Sequence, residues 1–242
     1  MQNLMRKCGY LTILALLCCA PVAFSQQVTM TLQSVPSSQP NLGGVYTGAY
    51  PFTISNGTTT ISTTAVCDDF NDEITQGESW TANVVQFSSL TSSGTPFAGV
   101  LFGGSTFGGG SYSQLQAYDA VADLVGLLSN PPAGASVSDI SYAIWDIFDP
   151  SASNGLPSAD QTEAMALAGA ALGQTYAPGA FSNFEILTPA SWTSNSGLPD
   201  DGRPQEFILA PESPAPILLG ADLLGLAALI FLYRRRMLRA ES

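Results

Sequence analysis

The chain has 242 residues, enough for one domain with a hydrophobic core, and 45% of them are hydrophobic while only 11% are charged. The formal net charge is −12, and residues 26–215 carry 17 acidic residues against one basic residue, Arg203, which excludes nucleic acid as a partner. The chain has no histidine and only one cysteine, Cys67, beyond residue 19, which excludes His-dependent triads, a disulfide framework in the body and a cysteine-rich zinc site.

The N-terminus has the three parts of a secretory signal peptide. Two basic residues, Arg6 and Lys7, precede an apolar stretch at 11–19. Small residues then occupy the positions that signal peptidase reads. We therefore predict a signal peptide at residues 1–25, handled by the secretion machinery, with a cleavage site formed by Ala23, Ser25 and Gln26.

The stretch from residue 27 to 87 has the period of β-strands. Apolar and polar side chains alternate at 28–32, 50–54 and 58–66, and residues 80–87 are rich in β-forming types. The dipeptide Asn56-Gly57 lies between two alternating runs, which predicts a tight hairpin.

An acidic cluster directly follows Cys67. Oxygen-rich clusters of this kind can bind calcium, but the spacing is not that of an EF-hand loop, and a solvated acidic loop is the alternative interpretation. We predict no cofactor. The candidate calcium ligands are Asp68, Asp69, Asp72 and Glu73.

Residues 92–111 are rich in Gly, Ser and Thr and predict an irregular loop, after which the period changes to that of helices. One apolar helical face runs from 115 to 128. A second helix is predicted to begin at Ser136 with Asp139 in the capping-box position, and a third at Ser158 with Gln161 in that position. Strand patterns return at 181–187 and 205–209.

This order predicts an α+β fold: a β-rich sandwich or barrel-like domain with a helical insertion of about three helices. The domain spans residues 26–210 and the insertion 112–174. Within it, Asp146 and Asp149 lie three residues apart beside Trp145, and paired carboxylates with an aromatic residue suggest a carbohydrate-active enzyme. The alternative is that Trp145 and Phe148 are packing residues.

Residues 139–145, Asp-Ile-Ser-Tyr-Ala-Ile-Trp, resemble the helix motif of bacterial thioester domains, which reads apolar-Gln-x-Ala-Ile-Trp. In that family the glutamine joins an upstream strand cysteine in an internal thioester that captures amines. Cys67 lies where the cysteine is expected, but Ser141 replaces the glutamine. The resemblance implies a related scaffold with a buried thiol, or a covalent adhesin whose glutamine is one of Gln76, Gln86, Gln114 and Gln116.

The C-terminus combines a short proline-rich element, an apolar run at 217–233 and a basic end. Such a run extends about 25 Å as a helix, enough to span a thin bilayer core with the arginines on the cytoplasmic side. The layout at 211–239 resembles the PEP-CTERM sorting signal, with Ser213 where the family has its second proline. The element is Pro211, Glu212, Ser213 and Pro214, and the basic end is Arg234, Arg235, Arg236 and Arg239.

The tail resemblance implies an exosortase-type membrane protease as a partner. Segments 67–70, 77–80 and 205–208 also look like uncharacterised exported PEP-CTERM proteins. We therefore expect a non-enzymatic surface or extracellular-matrix protein associated with exopolysaccharide. It would be exported, anchored in the inner membrane through its C-terminal helix, and then transferred to the cell surface or matrix.

Overall fold

The computed structural model describes residues 26–90, 92, 97–190 and 203–211. Within them six strands close into an antiparallel barrel, and four short strands form two small hairpins. The barrel strands are β1 (Gln26–Leu32), β4 (Ala49–Ser55), β5 (Thr60–Cys67), β6 (Ser79–Gln86), β9 (Glu185–Pro189) and β10 (Phe207–Leu209). The hairpin strands are β2 (Asn41–Leu42), β3 (Val45–Tyr46), β7 (Gly104–Ser105) and β8 (Tyr112–Ser113).

The barrel closes in the order β1-β4-β5-β10-β9-β6, and every neighbouring pair is antiparallel. Three helices of the described chain, α1 (Gln114–Leu127), α2 (Val137–Phe148) and α3 (Ser158–Leu172), lie in sequence between β6 and β9. Because β6 and β9 are themselves neighbours, the helices are an insertion between two paired strands. The mixed α/β fold with a barrel-like sheet and three helices confirms the predicted architecture at that level.

The barrel interior is filled by alternate residues of its strands, as the period of two requires. Phe52 lies among the most buried, with its ring 4.8 Å from that of Phe207 and 5.9 Å from that of Trp80. Burying such a ring contributes about 1.5–3 kcal/mol. The interior cluster comprises Val28, Met30, Leu32, Tyr50, Phe52, Ile54, Ala65, Cys67, Trp80, Ala82, Leu187 and Phe207.

The hairpin predicted at Asn56-Gly57 joins β4 to β5. Gly57 has a φ of 84°, a conformation that glycine adopts without strain. The Asn56 Oδ1 accepts hydrogen bonds from the backbone N–H groups of Thr58 and Thr59. These contacts fix the turn and, with it, the register of the two strands.

Two of the helices begin with reciprocal capping boxes. Ser136 and Asp139 cap α2 as predicted, and Ser113 and Gln116 cap α1. The box predicted for Ser158 and Gln161 is wrong. Ser158 is already the first helical residue of α3, and the capping position is held by Pro157, which has no side-chain oxygen to accept a hydrogen bond.

Two predicted boundaries also shift. The strand expected at 181–187 begins only at Glu185, because residues 179–183 form turns. The loop expected at 92–111 contains β7, which pairs with β8. The signal peptide and almost all of the sorting tail lie outside the described residues, and within those residues no helix has the length and apolarity to cross a membrane.

Candidate functional site

Strands β5 and β10 meet in a register that brings two distant segments together. Cys67 lies opposite Phe207, and one step further the Asp68 N–H donates to the Glu206 carbonyl at 3.4 Å. We call the residues Cys67, Asp68, Asp69, Gln205 and Glu206 the β5–β10 seam. Side chains alternate along it, so Cys67 and Phe207 belong to the barrel core while Glu206 contacts helix α1.

Cys67 is buried, with 1% of its surface exposed. Its thiol donates to the Asp69 carbonyl at 3.0 Å, and its own carbonyl accepts from the Trp145 indole N–H at 2.9 Å. Burial raises the pKa of the Cys67 thiol well above its usual value, and the negative charges of Asp69 and Asp68 add to the shift. The thiol is therefore protonated and shielded in the folded chain.

Gln205 shares a hydrogen-bond acceptor with this thiol. Its Nε2 donates to the Asp69 carbonyl at 2.8 Å, so the Cys67 thiol and the Gln205 amide lie within hydrogen-bond reach of one oxygen. Gln205 also lines a cavity of about 350 Å³ at this end of the barrel, together with Tyr46, Tyr50 and Gln76. The amide thus lies between the buried thiol and an opening to solvent.

Glu206 is a fully buried carboxyl with several donors. Tyr118 Oη donates to its Oε1 at 2.5 Å, and the Leu101 N–H donates to its Oε2 at 2.8 Å. The Thr188 hydroxyl also donates to Oε2. Neighbouring Asp68 is equally buried, but neither of its oxygens accepts a hydrogen bond from the described residues. Burial raises the pKa of Asp68 well above its ordinary value, followed by the negative charge of Glu206.

Asp69 and Asp72 form a second acidic pair beside the seam. Burial raises the pKa of Asp69 to about 8, with a hydrogen bond and the charge of Asp72 as further causes. Asp72 forms an ion pair with Arg203, whose Nη2 is 2.6 Å from Oδ2. Glu73 is exposed. The four predicted calcium ligands therefore do not converge on one point, and in the described part of the chain no three acidic or cysteine side chains are arranged to hold a metal ion.

The residues suggested by the thioester resemblance are placed as follows. Ser141 accepts from the Gly48 N–H at 2.8 Å and donates to the Val137 carbonyl at 3.0 Å, so it joins α2 to the start of β4. Of the four candidate glutamines, Gln76 is exposed and the other three have their side chains bound elsewhere. Gln86 binds Glu185, Gln114 binds the Phe97 and Phe102 carbonyls, and Gln116 caps α1.

Gln205, whose amide shares the Asp69 carbonyl with the Cys67 thiol, was not among the predicted glutamines. The signal was present in the sequence: Gln205 is the first residue of the last predicted strand of the body, and a short final strand needs a partner in a closed sheet. Sequence distance hid the pairing, since Gln205 and Asp69 are 136 residues apart.

Asp146 and Asp149 serve the turn after α2. Asp146 Oδ1 accepts from the Ser153 N–H at 3.0 Å, and Asp149 Oδ1 accepts from the backbone and hydroxyl of Ser151. Asp146 is buried, which raises its pKa. Trp145 is buried as the packing interpretation predicted, and the Phe148 ring stacks on that of Phe102 at 4.1 Å. Neither carboxylate lines the cavity beside Gln205.

Compared with known protein families, with curated proteins and with solved structures, the chain matches none. Three features of this chain bear on its function: the two ends of the sequence, the acidic body between them, and the seam where the Cys67 thiol and the Gln205 amide donate to the same carbonyl.

Proposed function

We propose that this is a non-enzymatic exported protein of the cell surface or extracellular matrix, sorted through its C-terminal tail and associated with exopolysaccharide. In this proposal residues 1–25 are a signal peptide and residues 217–233 a transmembrane helix that an exosortase-type protease recognises. The observation that carries it is the order of parts: an acidic folded body lies between two apolar segments, each with basic residues on one side.

The contacts of the body agree with a binding or structural role. Three of its buried acidic residues, Asp68, Asp146 and Glu206, have 0% of their surface exposed. The cavity of about 350 Å³ is lined by aliphatic, tyrosine and amide side chains with Glu73 as its one acidic group. A glycosidase of the two-carboxylate kind needs both carboxyls facing one open cleft, and among the described residues Glu73 is the one that lines this cavity.

Deleting residues 211–242 in the native host tests the sorting proposal. We expect the shortened protein to appear in the culture medium and to leave the membrane and cell-surface fractions. A matched control replaces the same tail with an unrelated single-span anchor, which should hold the body in the membrane without release. Unchanged localisation of the deletion variant would contradict the proposal.

A second candidate, a covalent adhesin, is favoured by one contact: the Cys67 thiol and the Gln205 amide bind the same carbonyl oxygen. Attack of the thiol on the Gln205 amide carbon would form an S–C(=O) bond and release ammonia. An external amine could then attack that carbonyl, forming a new amide and returning the thiol of Cys67. The amide's position beside the cavity gives such an amine a path.

Intact mass measurement separates this candidate from a free cysteine. A thioester lowers the mass by one ammonia and leaves no thiol to label after denaturation in acid. Gln205→Ala should restore both the mass and the labelling, whereas Gln76→Ala, a change at an exposed residue, should alter neither. Complete thiol labelling of the denatured wild-type protein at its full expected mass would refute the adhesin.

A further inference from the structure

The seam contains two carboxyl groups that face each other in a fully buried place. Asp68 and Glu206 are opposite each other at the ends of β5 and β10, and both have 0% of their surface exposed. Two ionised carboxylates cannot share such a site without a large electrostatic and desolvation cost. One proton between them removes that cost.

The hydrogen-bond donors around the pair favour Glu206 as the ionised carboxyl and Asp68 as the protonated one. Glu206 accepts from the hydroxyl of Tyr118 on α1, from the Leu101 N–H and from the hydroxyl of Thr188 on β9. Donors of this kind stabilise a carboxylate. Asp68 accepts nothing from the described residues, so a proton on Asp68, donated to Glu206, satisfies both groups.

The surroundings add negative rather than positive charge. The loop after β5 contributes Asp69 and Asp72, and α1 contributes the neutral hydroxyl of Tyr118. On the barrel side lies the Cys67 thiol, held protonated by burial, which raises its pKa. Arg203, the only basic residue among those described, forms an ion pair with Asp72 and lowers the pKa of Asp69.

We propose that Asp68 and Glu206 share a single proton and that this pair is a pH-sensitive clasp joining β5, β10 and helix α1. The clasp goes beyond the surface function and does not depend on it. With the proton present, the helical layer is tied to the barrel through Tyr118. When the second carboxyl ionises, the seam holds two like charges and the tie weakens.

The direction of the pH effect follows from linkage. Burial raises the pKa of Asp68 in the folded chain above its unfolded value of about 3.9. The shared proton stabilises the fold fully below the unfolded pKa, because Asp68 is then protonated in both the folded and the unfolded chain. As the pH rises further, the folding equilibrium constant falls about tenfold per pH unit until the folded pKa is passed.

The test is the pH dependence of unfolding of the full-length chain, followed by tryptophan fluorescence in denaturant between about pH 5 and about pH 9. We expect the wild type to lose stability as the pH rises. In Asp68→Asn the amide donates to Glu206 and cannot ionise, so its profile should be flatter and its folding constant at the alkaline end at least tenfold higher than that of the wild type. Glu73→Gln, at an exposed residue, should follow the wild type.

A spectroscopic measurement keeps the test decisive if Asp68→Asn does not fold. With ¹³C-labelled aspartate, the infrared carbonyl band of a protonated aspartic acid should be present in the wild type at neutral pH. Glu206→Gln replaces the charged acceptor with a neutral amide while Asp68 stays buried, so Asp68 should remain protonated and its part of this band should shift in frequency. A wild type without the band, or parallel pH profiles for wild type and Asp68→Asn, would overturn the clasp.

Discussion

The inside of the barrel and the seam on its helix-facing side are built from the same strands but are stabilised differently. The interior is held by apolar burial and ring packing, which have no strict direction. The seam is held by directed hydrogen bonds from α1, β9 and the loop at Leu101 to one carboxyl. The same strand therefore depends on the volume of its side chains on the interior face and on single hydrogen-bonding atoms on the other face.

The largest effect should come from the interior. Phe52→Ala removes a ring that packs between Trp80 and Phe207, and the cavity it leaves should lower the free energy of unfolding by about 3–5 kcal/mol. Chemical denaturation measures this change. Ile61→Ala, at a residue 48% exposed on β5, is the control and should cost less than about 1 kcal/mol. Equal losses would mean that the barrel is not closed around Phe52.

At the seam, we expect a smaller loss of unfolding free energy that comes from the deletion of a single oxygen atom. Tyr118→Phe deletes one oxygen, which removes one of the three hydrogen-bond donors of buried Glu206 and leaves the Phe102 N–H without its acceptor. We expect a loss of about 1–3 kcal/mol in denaturation, although the apolar volume is conserved.

The control for that prediction is Tyr112→Phe, because Tyr112 is partly exposed and its hydroxyl makes no hydrogen bond to the described residues. Its free energy of unfolding should change by less than about 0.5 kcal/mol. If both tyrosine variants behave alike, the seam does not depend on directed hydrogen bonds.

The smallest effect concerns helix α2, whose Trp145 donates to the Cys67 carbonyl in the seam. Ser136→Ala removes the capping box of α2 and should cost about 1 kcal/mol. Ser158→Ala should cost less, because Ser158 does not cap α3. Thermal unfolding of the two variants decides this, and a larger loss for Ser158→Ala would contradict the assigned caps.

Local patterns predicted most elements of this fold. Alternation located β1, β4 and β5, and β-forming residue types located β6. The Asn-Gly turn located the hairpin, and Ser136 with Asp139 located the start of α2. Each of these signals acts within a few residues. The Ser158 box failed because the same spacing is satisfied by a serine one position inside the helix, where its hydroxyl cannot cap.

The seam could not be predicted in the same way. Acidic residues adjacent in sequence suggested a calcium loop. Asp68 instead lies opposite Glu206 at the end of β5, and Glu73 is exposed in the loop between β5 and β6. The Gln205 amide and the Cys67 thiol share the Asp69 carbonyl only because β10 pairs with β5 and closes the barrel. Pairings over such a distance depend on the whole topology, which composition and periodicity do not specify.

Mass spectrometry of the terminal peptides of the protein recovered from its native host tests export and tail processing in one experiment. We predict a chain that begins at Gln26 and ends between Pro211 and Pro216. A chain that begins at Met1 and ends at Ser242 would contradict both export processing and sorting.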